Sequence, residues 1–482
     1  MVGITSYGVH VPFYRLSRKA IGEAMGWFAP GGSAGERAMA NYDEDSLSMA
    51  VNAGMSCLEG LERNNVDGLY FSTTSAPYKL RGNAEIVATA LDLYSGIKTA
   101  DFANCTKSGT TALLLACDSI QAGSAKNILL CASDCRPCKA GSSQEQVYGD
   151  AAVALLLGKD NVIATLEGWH SISYDFPDYW KSGEETFEHS WEERFVRDEG
   201  YTKFIPEAIS GLLKKYSLTI KDFAKIIYAC PHAREHANIG RALGAEASQI
   251  QDNMVNAVGD TGAAYPLMML VAALEDAKPG DKILVASYGG GSDALFFQVT
   301  DRIKEMKKEK GIKASLSLKQ EFSNYEKYLS YRDLLAVEKG IRADYTEGTP
   351  TQMSRLWRER RAILALVGSR CKVCGTPQYP PQRVCVKPSC GAIDKMELYP
   401  FASKKGNLFT YTADNLAYTI NPPAIYGMVN FEDGGRYWFD LTDCEQASVK
   451  VDMPVKMSFR RKYYDKSRGI HGYFWKAVPV IS

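Results

Sequence analysis

The chain has 482 residues, and its 56 basic side chains (Lys and Arg) balance its 56 acidic ones (Asp and Glu), so the formal net charge is zero. This length predicts about two to four domains of roughly 100–200 residues each. The neutral balance disfavours a dedicated nucleic-acid binder, because such proteins need excess positive charge to displace counterions. No apolar run approaches the roughly 18–20 residues that span a bilayer, and the N-terminus lacks a signal-peptide pattern. We therefore expect a cytoplasmic protein that binds neither nucleic acid nor membrane.

Strand-like apolar runs alternate with helical patterns twice within the first 300 residues. The run 66–74 (VDGLYFSTT) is similar to 224–232 (AKIIYACPH), and 126–134 (KNILLCASD) is similar to 281–289 (DKILVASYG). Alternation of strand and helix indicates an α/β fold with a buried sheet, and its repetition indicates two similar halves. We place these halves at 1–160 and 161–300.

The character of the chain changes after residue 300. We interpret 301–352 as a helical connector whose segment 324–340 forms an exposed helix. A domain of helix and metal ribbon follows at 353–392, beginning with a helix over 353–368 that has Trp357, Ile363, Leu364 and Leu366 on its apolar side. Residues 393–482 contain five short strand patterns, at 407–413, 424–432, 436–443, 455–464 and 473–480. Five short strands in so small a region are typical of an OB-fold barrel.

The strongest chemical signal is a cluster of cysteines. The chain has twelve cysteines, and four of them are Cys371, Cys374, Cys385 and Cys390. Two closely spaced pairs of thiolates are the pattern of a closed, tetrahedral zinc site. Because four protein ligands leave no open position, this zinc would stabilise structure and not take part in catalysis.

A further C-x-x-C, formed by Cys135 and Cys138, has no second pair near it in the sequence. We interpret these two residues as packed thiols.

Several longer motifs carry a family resemblance. They are 4–16 (ITSYGVHVPFYRL), 42–51 (YDEDSLSMAV), 142–158 (SSQEQVYGDAAVALLLG), 258–270 (VGDTGAAYPLMML) and 286–295 (ASYGGGSDAL). They resemble the 3-hydroxy-3-methylglutaryl-CoA (HMG-CoA) synthase branch of the thiolase superfamily, and the related ketoacyl synthase III enzymes. The tail 353–482 resembles the zinc-ribbon plus OB-fold (DUF35-type) modules that accompany such enzymes. The resemblance implies a duplicated, five-layer α/β/α/β/α thiolase-like fold, then a rubredoxin-like zinc ribbon and an all-β OB-fold barrel.

The resemblance also implies acyl transfer from coenzyme A to a cysteine, with glutamate, histidine and asparagine as the family's other catalytic residues. When the motifs are carried over without gaps, these four positions fall on different residues in this chain. The glutamate position falls on Thr74, the cysteine position on Thr106, the histidine position on Ala229 and the asparagine position on Asp260. The cysteine Cys105 stands one residue early. One residue at the start of a helix turns a side chain by about 100°, so Cys105 should point elsewhere.

We therefore expect a largely non-catalytic subunit of a thiolase-type complex that forms or thiolytically cleaves carbon–carbon bonds of acyl-CoA. Its partner would be a separate catalytic thiolase subunit, in a homo- or hetero-dimer or a higher assembly. The zinc-ribbon and OB tail would dock that partner or coenzyme A, and a CoA thioester would be substrate or ligand.

The alternative is a self-sufficient acyl-CoA acyltransferase. A one-residue shift of the loop would make Cys105 the acyl-accepting nucleophile. His232 would then act as its base, and Asp260 would orient the histidine.

Two more segments bear on function. Residues 174–201 form a long connection rich in aromatic and charged side chains, which suits an acyl pocket or a partner interface. The basic run 460–462 in the β-tail is most simply an exposed strand edge guarded by charge, ahead of contact with CoA phosphates and, last, nucleic acid.

Overall fold

The computed structural model describes residues 1–27, 34–338 and 350–480. The strands of its first 300 residues are β1 (Gly3–His10), β2 (Tyr14–Ser17), β3 (Glu36–Met39), β4 (Gly68–Ser72), β5 (Lys98–Phe102), β6 (Ile128–Asp134), β7 (Ala151–Gly158), β8 (Ala164–Ser173), β9 (Tyr179–Trp180), β10 (His189–Ser190), β11 (Lys225–Tyr228), β12 (Lys282–Ala286) and β13 (Gly291–Val299). The helices of the same region are α1 (Arg18–Met25), α2 (Ser46–Cys57), α3 (Asn83–Ala90), α4 (Ser108–Gln121), α5 (Ser143–Val147), α6 (Glu193–Phe195), α7 (Thr202–Tyr216), α8 (Ala233–Ala242) and α9 (Tyr265–Asp276). No helix within the described ranges combines the length and apolar composition that crossing a membrane requires.

Nine of these strands form one sheet in the order β11-β12-β13-β8-β1-β7-β6-β4-β5. In the first half, β5, β4 and β6 are parallel, and β7 and β1 continue the sheet antiparallel. The second half repeats this arrangement with β11, β12, β13 and β8, and a parallel bridge from Ile226 to Ile250 stands where β5 stands in the first half. The halves meet where β1 pairs with β8. The duplication predicted from the repeated apolar runs is therefore present in the strand pairing.

Helices separate and cover the two half-sheets. α4 packs on β4, β6 and β7, α9 packs on β11 and β12, and the two helices contact each other. α2 covers the outer face of the first half-sheet, and α7 covers the outer face of the second. α9 is buried on all sides from Tyr265 to Leu274, as expected for a helix between two sheets. The result is the five-layer α/β/α/β/α arrangement.

The segment 301–338 differs from the exposed helical connector that the sequence predicts. It contains α10 (Ile312–Ser317), the strand β14 (Gln320–Phe322), which pairs parallel with β2, and α11 (Tyr325–Tyr331). Tyr325, Tyr328 and Tyr331 are buried. Their spacing of three places them on one face of the helix, and that face packs on the first half of the fold instead of meeting water. The last two residues of the predicted helix, 339–340, lie outside the described residues.

The single helix predicted over 353–368 also differs from the structure, which has two shorter helices there. α12 (Met353–Arg358) and α13 (Arg360–Ala365) are separated at Glu359, and the left-handed Leu366 (φ 50°) ends the second. The interruption turns the first helix, so Trp357 is 67% exposed, whereas Leu364 and Leu366 are buried as predicted.

The C-terminal region contains two small sheets. The ribbon has β15 (Val367–Cys371), β16 (Pro377–Gln378) and β17 (Met396–Pro400), in the order β16-β15-β17. The barrel has β18 (Gly406–Asp414), β19 (Ala424–Phe431), β20 (Arg436–Asp440), β21 (Pro454–Asp465) and β22 (Ile470–Pro479). These five antiparallel strands have the order β20-β19-β18-β21-β22, and the OB-fold predicted from the sequence is confirmed.

The barrel shares a hydrophobic core with the first half of the α/β fold. Leu47 and Val51 of α2, Phe459 of β21 and Trp475 of β22 belong to one buried cluster. Trp475 also donates from its indole nitrogen to the carbonyl oxygen of Leu364, at 2.8 Å. The tail is therefore packed against α2 and α3 of its own chain, through β21 and α13.

Buried charges cross the same interface. Arg460 is 1% exposed, so this part of the basic run is not an exposed strand edge. Its guanidinium lies 3.1 Å from Asp43 and 3.0 Å from Glu44, and it also pairs with Asp443. Lys476 of β22 lies 2.9 Å from the second oxygen of Asp43. Of the basic run, Arg460 was misassigned because two of its carboxylate partners, Asp43 and Glu44, lie more than 400 positions away in the chain, which no local pattern reveals.

We predict that Arg460→Met will destabilise the protein by about 3–5 kcal/mol, because it leaves buried carboxylates without their cation. Urea unfolding followed by tryptophan fluorescence measures this loss. Arg468→Met is the matched control, since its ion pair with Asp465 lies at the surface and should contribute less than about 1 kcal/mol. Equal effects of the two substitutions would contradict the role of the buried cluster.

Candidate functional site

The position that corresponds to the family's nucleophile lies just before α4. The chain leaves β5, makes a left-handed turn at Asn104 (φ 70°), and reaches Cys105 and Thr106. The hydroxyl of Thr106 donates to the carbonyl oxygen of Tyr288 at 2.7 Å, and the thiol of Cys105 donates to the carbonyl oxygen of Gly289 at 2.9 Å. A Cβ on Gly289 would come within 2.5 Å of the Thr106 hydroxyl, so only glycine fits here. The glycine-rich loop therefore binds both candidate nucleophiles through its backbone.

Cys105 is not set up as a thiolate. Burial raises its pKa above the usual range, and the carboxylates of Asp178 and Asp293 act in the same direction. The backbone and charge of Lys107 favour the thiolate without offsetting the burial. The ammonium group of Lys107 is itself paired with Asp293 at 3.3 Å. At neutral pH Cys105 is a protonated thiol, which is a weak nucleophile.

At the glutamate position, the short polar residue Thr74 donates hydrogen bonds to a neighbouring carboxylate. The backbone nitrogen and hydroxyl of Thr74 donate to one oxygen of Asp134, at 2.7 and 3.0 Å. The hydroxyls of Thr73 and Ser75 donate to the same oxygen, and the backbone nitrogen of Ala263 donates to the other. Burial raises the pKa of Asp134, although these donors favour its charged form.

Asp134 was missed in the sequence. The available signal was its place at the end of the apolar run 126–134, where a buried strand ends in a carboxylate.

The histidine position holds Ala229, whose side chain has no polar group. His232, three residues later, precedes α8 and packs its ring edge-on against Tyr201, with the ring centroids 5.4 Å apart. Burial lowers the pKa of His232, and the positive charge of Arg197 lowers it further. The imidazole is therefore neutral at pH 7 and lies in an aromatic environment.

Asp260, at the asparagine position, is an ion-pair partner. Its carboxylate lies 3.0 Å from the guanidinium of Arg136 and accepts a hydrogen bond from the backbone of Gly262 at 2.9 Å. Arg136 is fully buried and lies over the ring of Tyr148, 3.5 Å from its centroid. Like Asp134, Arg136 was not recognised as a site residue, because its partner is distant in sequence.

The structure thus gives the three candidate catalytic residues three separate partners. Cys105 contacts Gly289, His232 contacts Tyr201, and Asp260 contacts Arg136. A nucleophile and its base must lie about 2.6–3.2 Å apart to exchange a proton. Within the described residues, no hydrogen bond joins any two of Cys105, His232 and Asp260.

We predict that iodoacetamide will alkylate Cys105 slowly at pH 7 and that the rate will still be rising with pH beyond the range of an ordinary thiol, because the thiolate is the reactive form. Peptide mass spectrometry over a pH series measures the rate at this residue. A half-maximal rate below pH 8 would show an activated thiolate and contradict the prediction.

The second candidate site is the cysteine cluster of the ribbon. The sulfurs of Cys371, Cys374, Cys385 and Cys390 all lie within 4.8 Å of one another. Cys371 and Cys390 are 3.8 Å apart, and Cys374 and Cys385 are 3.5 Å apart. Four sulfurs bound to one zinc at about 2.3 Å in a tetrahedron are separated by roughly 3.8 Å. The cluster therefore fits a structural zinc ion, and soft thiolates are the ligands that zinc prefers.

We predict about one zinc ion per chain, lost in Cys374→Ser together with the order of the ribbon, since binding and folding of such sites are coupled. Metal analysis by inductively coupled plasma mass spectrometry and limited proteolysis measure the two effects. Cys135→Ser is the matched control, because this thiol accepts a hydrogen bond from Arg332 and lies outside the cluster. Zinc loss in the control, or retention in Cys374→Ser, would contradict the assignment.

Comparisons with known proteins agree with this two-part organisation. Residues 358–394 match the family model "ChsH2, rubredoxin-like zinc ribbon domain", and residues 399–460 match "ChsH2, C-terminal OB-fold domain".

The longer, N-terminal part is similar to curated enzymes. It is 29% identical over 351 residues to the hydroxymethylglutaryl-CoA synthase of Methanopyrus kandleri, an alignment that covers 71% of this chain and 98% of that one. The synthase of Archaeoglobus fulgidus is 28% identical over 341 residues, covering 69% and 98%.

Solved structures agree on the fold. A HMG-CoA synthase crystallised with CoA matches with a TM-score of 0.61 and 19% identity, covering 68% of this chain and 89% of that one. The 3-oxoacyl-[acyl-carrier-protein] synthase III of Aquifex aeolicus matches with a TM-score of 0.54 and 18% identity, covering 62% and 100%. The chain therefore joins a thiolase-like fold, similar in sequence to HMG-CoA synthases, to a ChsH2-type zinc ribbon and OB-fold.

Proposed function

We propose that this chain is a largely non-catalytic subunit of an acyl-CoA complex that forms or thiolytically cleaves carbon–carbon bonds, and that a separate thiolase subunit performs the acyl transfer. The observation that carries the proposal is the occupancy of the four family positions by Thr74, Thr106, Ala229 and Asp260. None of the twelve cysteines, all of which lie within the described residues, forms a disulfide; this suits a reducing compartment, and we place the complex in the cytoplasm.

The chemistry of these replacements supports the proposal. A threonine alcohol is a poor nucleophile without an adjacent base, and the Thr106 hydroxyl donates its proton to a backbone carbonyl. Ala229 has no group to polarise a thioester carbonyl. Asp260 is neutralised by Arg136 at 3.0 Å. Thr74 cannot exchange a proton at neutral pH.

The alternative is a self-sufficient acyltransferase that uses Cys105 with His232 and Asp260. It requires that the burial of the Cys105 thiol be overcome and that His232, which has no hydrogen bond to Cys105 among the described residues, come within hydrogen-bonding distance of it. The three separate hydrogen-bond and ring partners of these residues favour the non-catalytic reading.

The proposed binding partners, CoA and a catalytic thiolase, rest on the same similarity to HMG-CoA synthases. One structural neighbour was solved with CoA, and we propose that this chain, too, binds a CoA thioester as substrate or ligand. We assign the docking of the catalytic thiolase to the zinc-ribbon and OB tail, whose rigid packing on α2 and α3 would hold a partner at a fixed place. A homo- or hetero-dimer or a higher assembly is the expected state.

The test is the intact mass of the purified, zinc-loaded chain after mixing with a panel of acyl-CoAs, with an active HMG-CoA synthase as the positive control for acylation. We predict no covalent acyl adduct on the chain, and condensing or thiolytic activity only after a thiolase from the same organism is added. An adduct that maps to Cys105 and disappears in Cys105→Ala would overturn the proposal in favour of the alternative.

A further inference from the structure

A cavity of about 890 Å³ lies between the α12 and α13 helices, the OB barrel and the loop before α3. Its volume is within the range of about 300–1,000 Å³ that is usual for small-molecule sites. It is a separate place from the degenerate centre, because Cys105, Thr106, His232 and Asp260 are not among the residues that line it.

The walls of the cavity are mainly aromatic and aliphatic. The rings of Tyr379 and Tyr437 meet edge to face with centroids 4.8 Å apart, and those of Phe439 and Phe474 are parallel at 6.0 Å. The aliphatic side chains of Ile86, Leu356 and Ile363 complete the apolar lining. Aromatic rings that already adopt stacked and edge-on geometries favour a planar or alicyclic group between them.

The charged lining consists of three cationic side chains and two carboxylates, namely Arg81, Arg355, Lys462, Glu359 and Asp440. Arg81 and Lys462 have no carboxylate within ion-pair distance among the described residues, whereas Arg355 is paired with Glu359 at 3.1 Å. Arg81 donates to the hydroxyl of Tyr78 at 2.9 Å, and the ammonium group of Lys462 lies 5.7 Å from the ring centroid of Phe474. Two uncompensated cations beside apolar walls favour a ligand that has one anionic end and one apolar end.

His471 adds an independent observation. It lines the cavity, and its Nδ1 is buried without a hydrogen-bond partner in the described part of the chain. Its backbone nitrogen donates to the hydroxyl of Tyr78 at 2.9 Å, which ties it to the loop before α3. Buried polar atoms without a partner are uncommon, and a polar atom of a bound molecule is one way to satisfy them.

We propose that this cavity binds an organic anion with an aryl or alicyclic acyl group, either as the free carboxylic acid or as its CoA thioester. The ring lies against Tyr437, Phe439 and Phe474, and the carboxylate or the CoA phosphates lie at Arg81 and Lys462. The thioester form rests on the proposed function, whereas the free-acid form does not.

The cavity is connected to the degenerate centre through one loop. Thr74, at one end, donates to Asp134, and Tyr78, four residues later, contacts His471 at the cavity. A ligand in the cavity would contact His471, and Tyr78 links His471 to the loop that contains Thr74.

The test is isothermal titration calorimetry of the full, zinc-loaded chain with benzoyl-CoA, benzoate, acetyl-CoA and CoA. We expect saturable binding of benzoyl-CoA or benzoate, and tighter binding of benzoyl-CoA than of acetyl-CoA or CoA. Binding of benzoate as tight as that of benzoyl-CoA identifies the free acid as the ligand, and binding of benzoyl-CoA alone identifies the thioester. Absence of saturable binding of both up to about 1 mM overturns the proposal.

Two substitutions locate the binding. Ala362→Trp inserts an indole into the cavity and should weaken binding at least about tenfold, while Leu416→Trp, at a residue that is 86% exposed outside the cavity, should not. Lys462→Gln removes an exposed cation and should weaken binding severalfold, while Lys466→Gln should leave it unchanged. Unchanged affinity in Lys462→Gln and in a folded Ala362→Trp protein would overturn the proposal, and Lys462→Gln alone decides if Ala362→Trp fails to fold.

The result of the binding test is independent of the result of the test of the proposed function. Binding is measured on the chain alone, whereas the proposed function is tested by acylation and by reconstitution with a thiolase. Either test can fail without the other.

Discussion

The structure depends on one buried ionic cluster between the OB barrel and the α/β fold. Arg460 and Lys476 of the barrel face Asp43 and Glu44 of the other domain, and Asp443 completes the group. Charges removed from water are tolerated only when they are paired and hydrogen-bonded, so the cluster strongly restricts how the two domains can sit together. The surrounding apolar core supplies the hydrophobic stabilisation, and the ion pairs determine the position of the barrel on the α/β fold. The position of the barrel in turn creates the aromatic cavity and the contact between Tyr78 and His471.

Charged groups at the centre of the thiolase-like fold form hydrogen bonds and an ion pair with other groups of the protein. Asp134 accepts hydrogen bonds from four side-chain and backbone donors on the loop after β4 and a fifth from Ala263, and Arg136 neutralises Asp260. A catalytic site keeps such groups available to a substrate, whereas here the carboxylates of Asp134 and Asp260 have partners in the protein. The same glycine loop that binds Cys105 and Thr106 still closes over the start of α4. The backbone of this loop therefore holds both side chains in place.

The other candidate sites of the structure lie in the ribbon and beside the barrel. The ribbon holds its strands by a zinc site with no open position, so its contribution is rigidity. That rigidity fixes β15 and the helix before it beside the barrel, where the apolar walls and unpaired cations of the cavity are found.

The sequence by itself determined the features that are local or repeated. The strand–helix alternation revealed the duplicated α/β fold, the spacing of Cys371 to Cys390 revealed the zinc ribbon, and the five barrel strands were placed to within a few residues, because hydrophobic period and ligand spacing are encoded over short stretches. Only the tertiary structure decided which charges are buried and what each site residue contacts. Arg460 was expected at the surface and the helix after Asn324 was expected in water, because the groups that cover them are hundreds of residues away in the chain. Pairings such as Arg136 with Asp260 arise from the packing of distant strands and helices, and no pattern within a single segment carries that information.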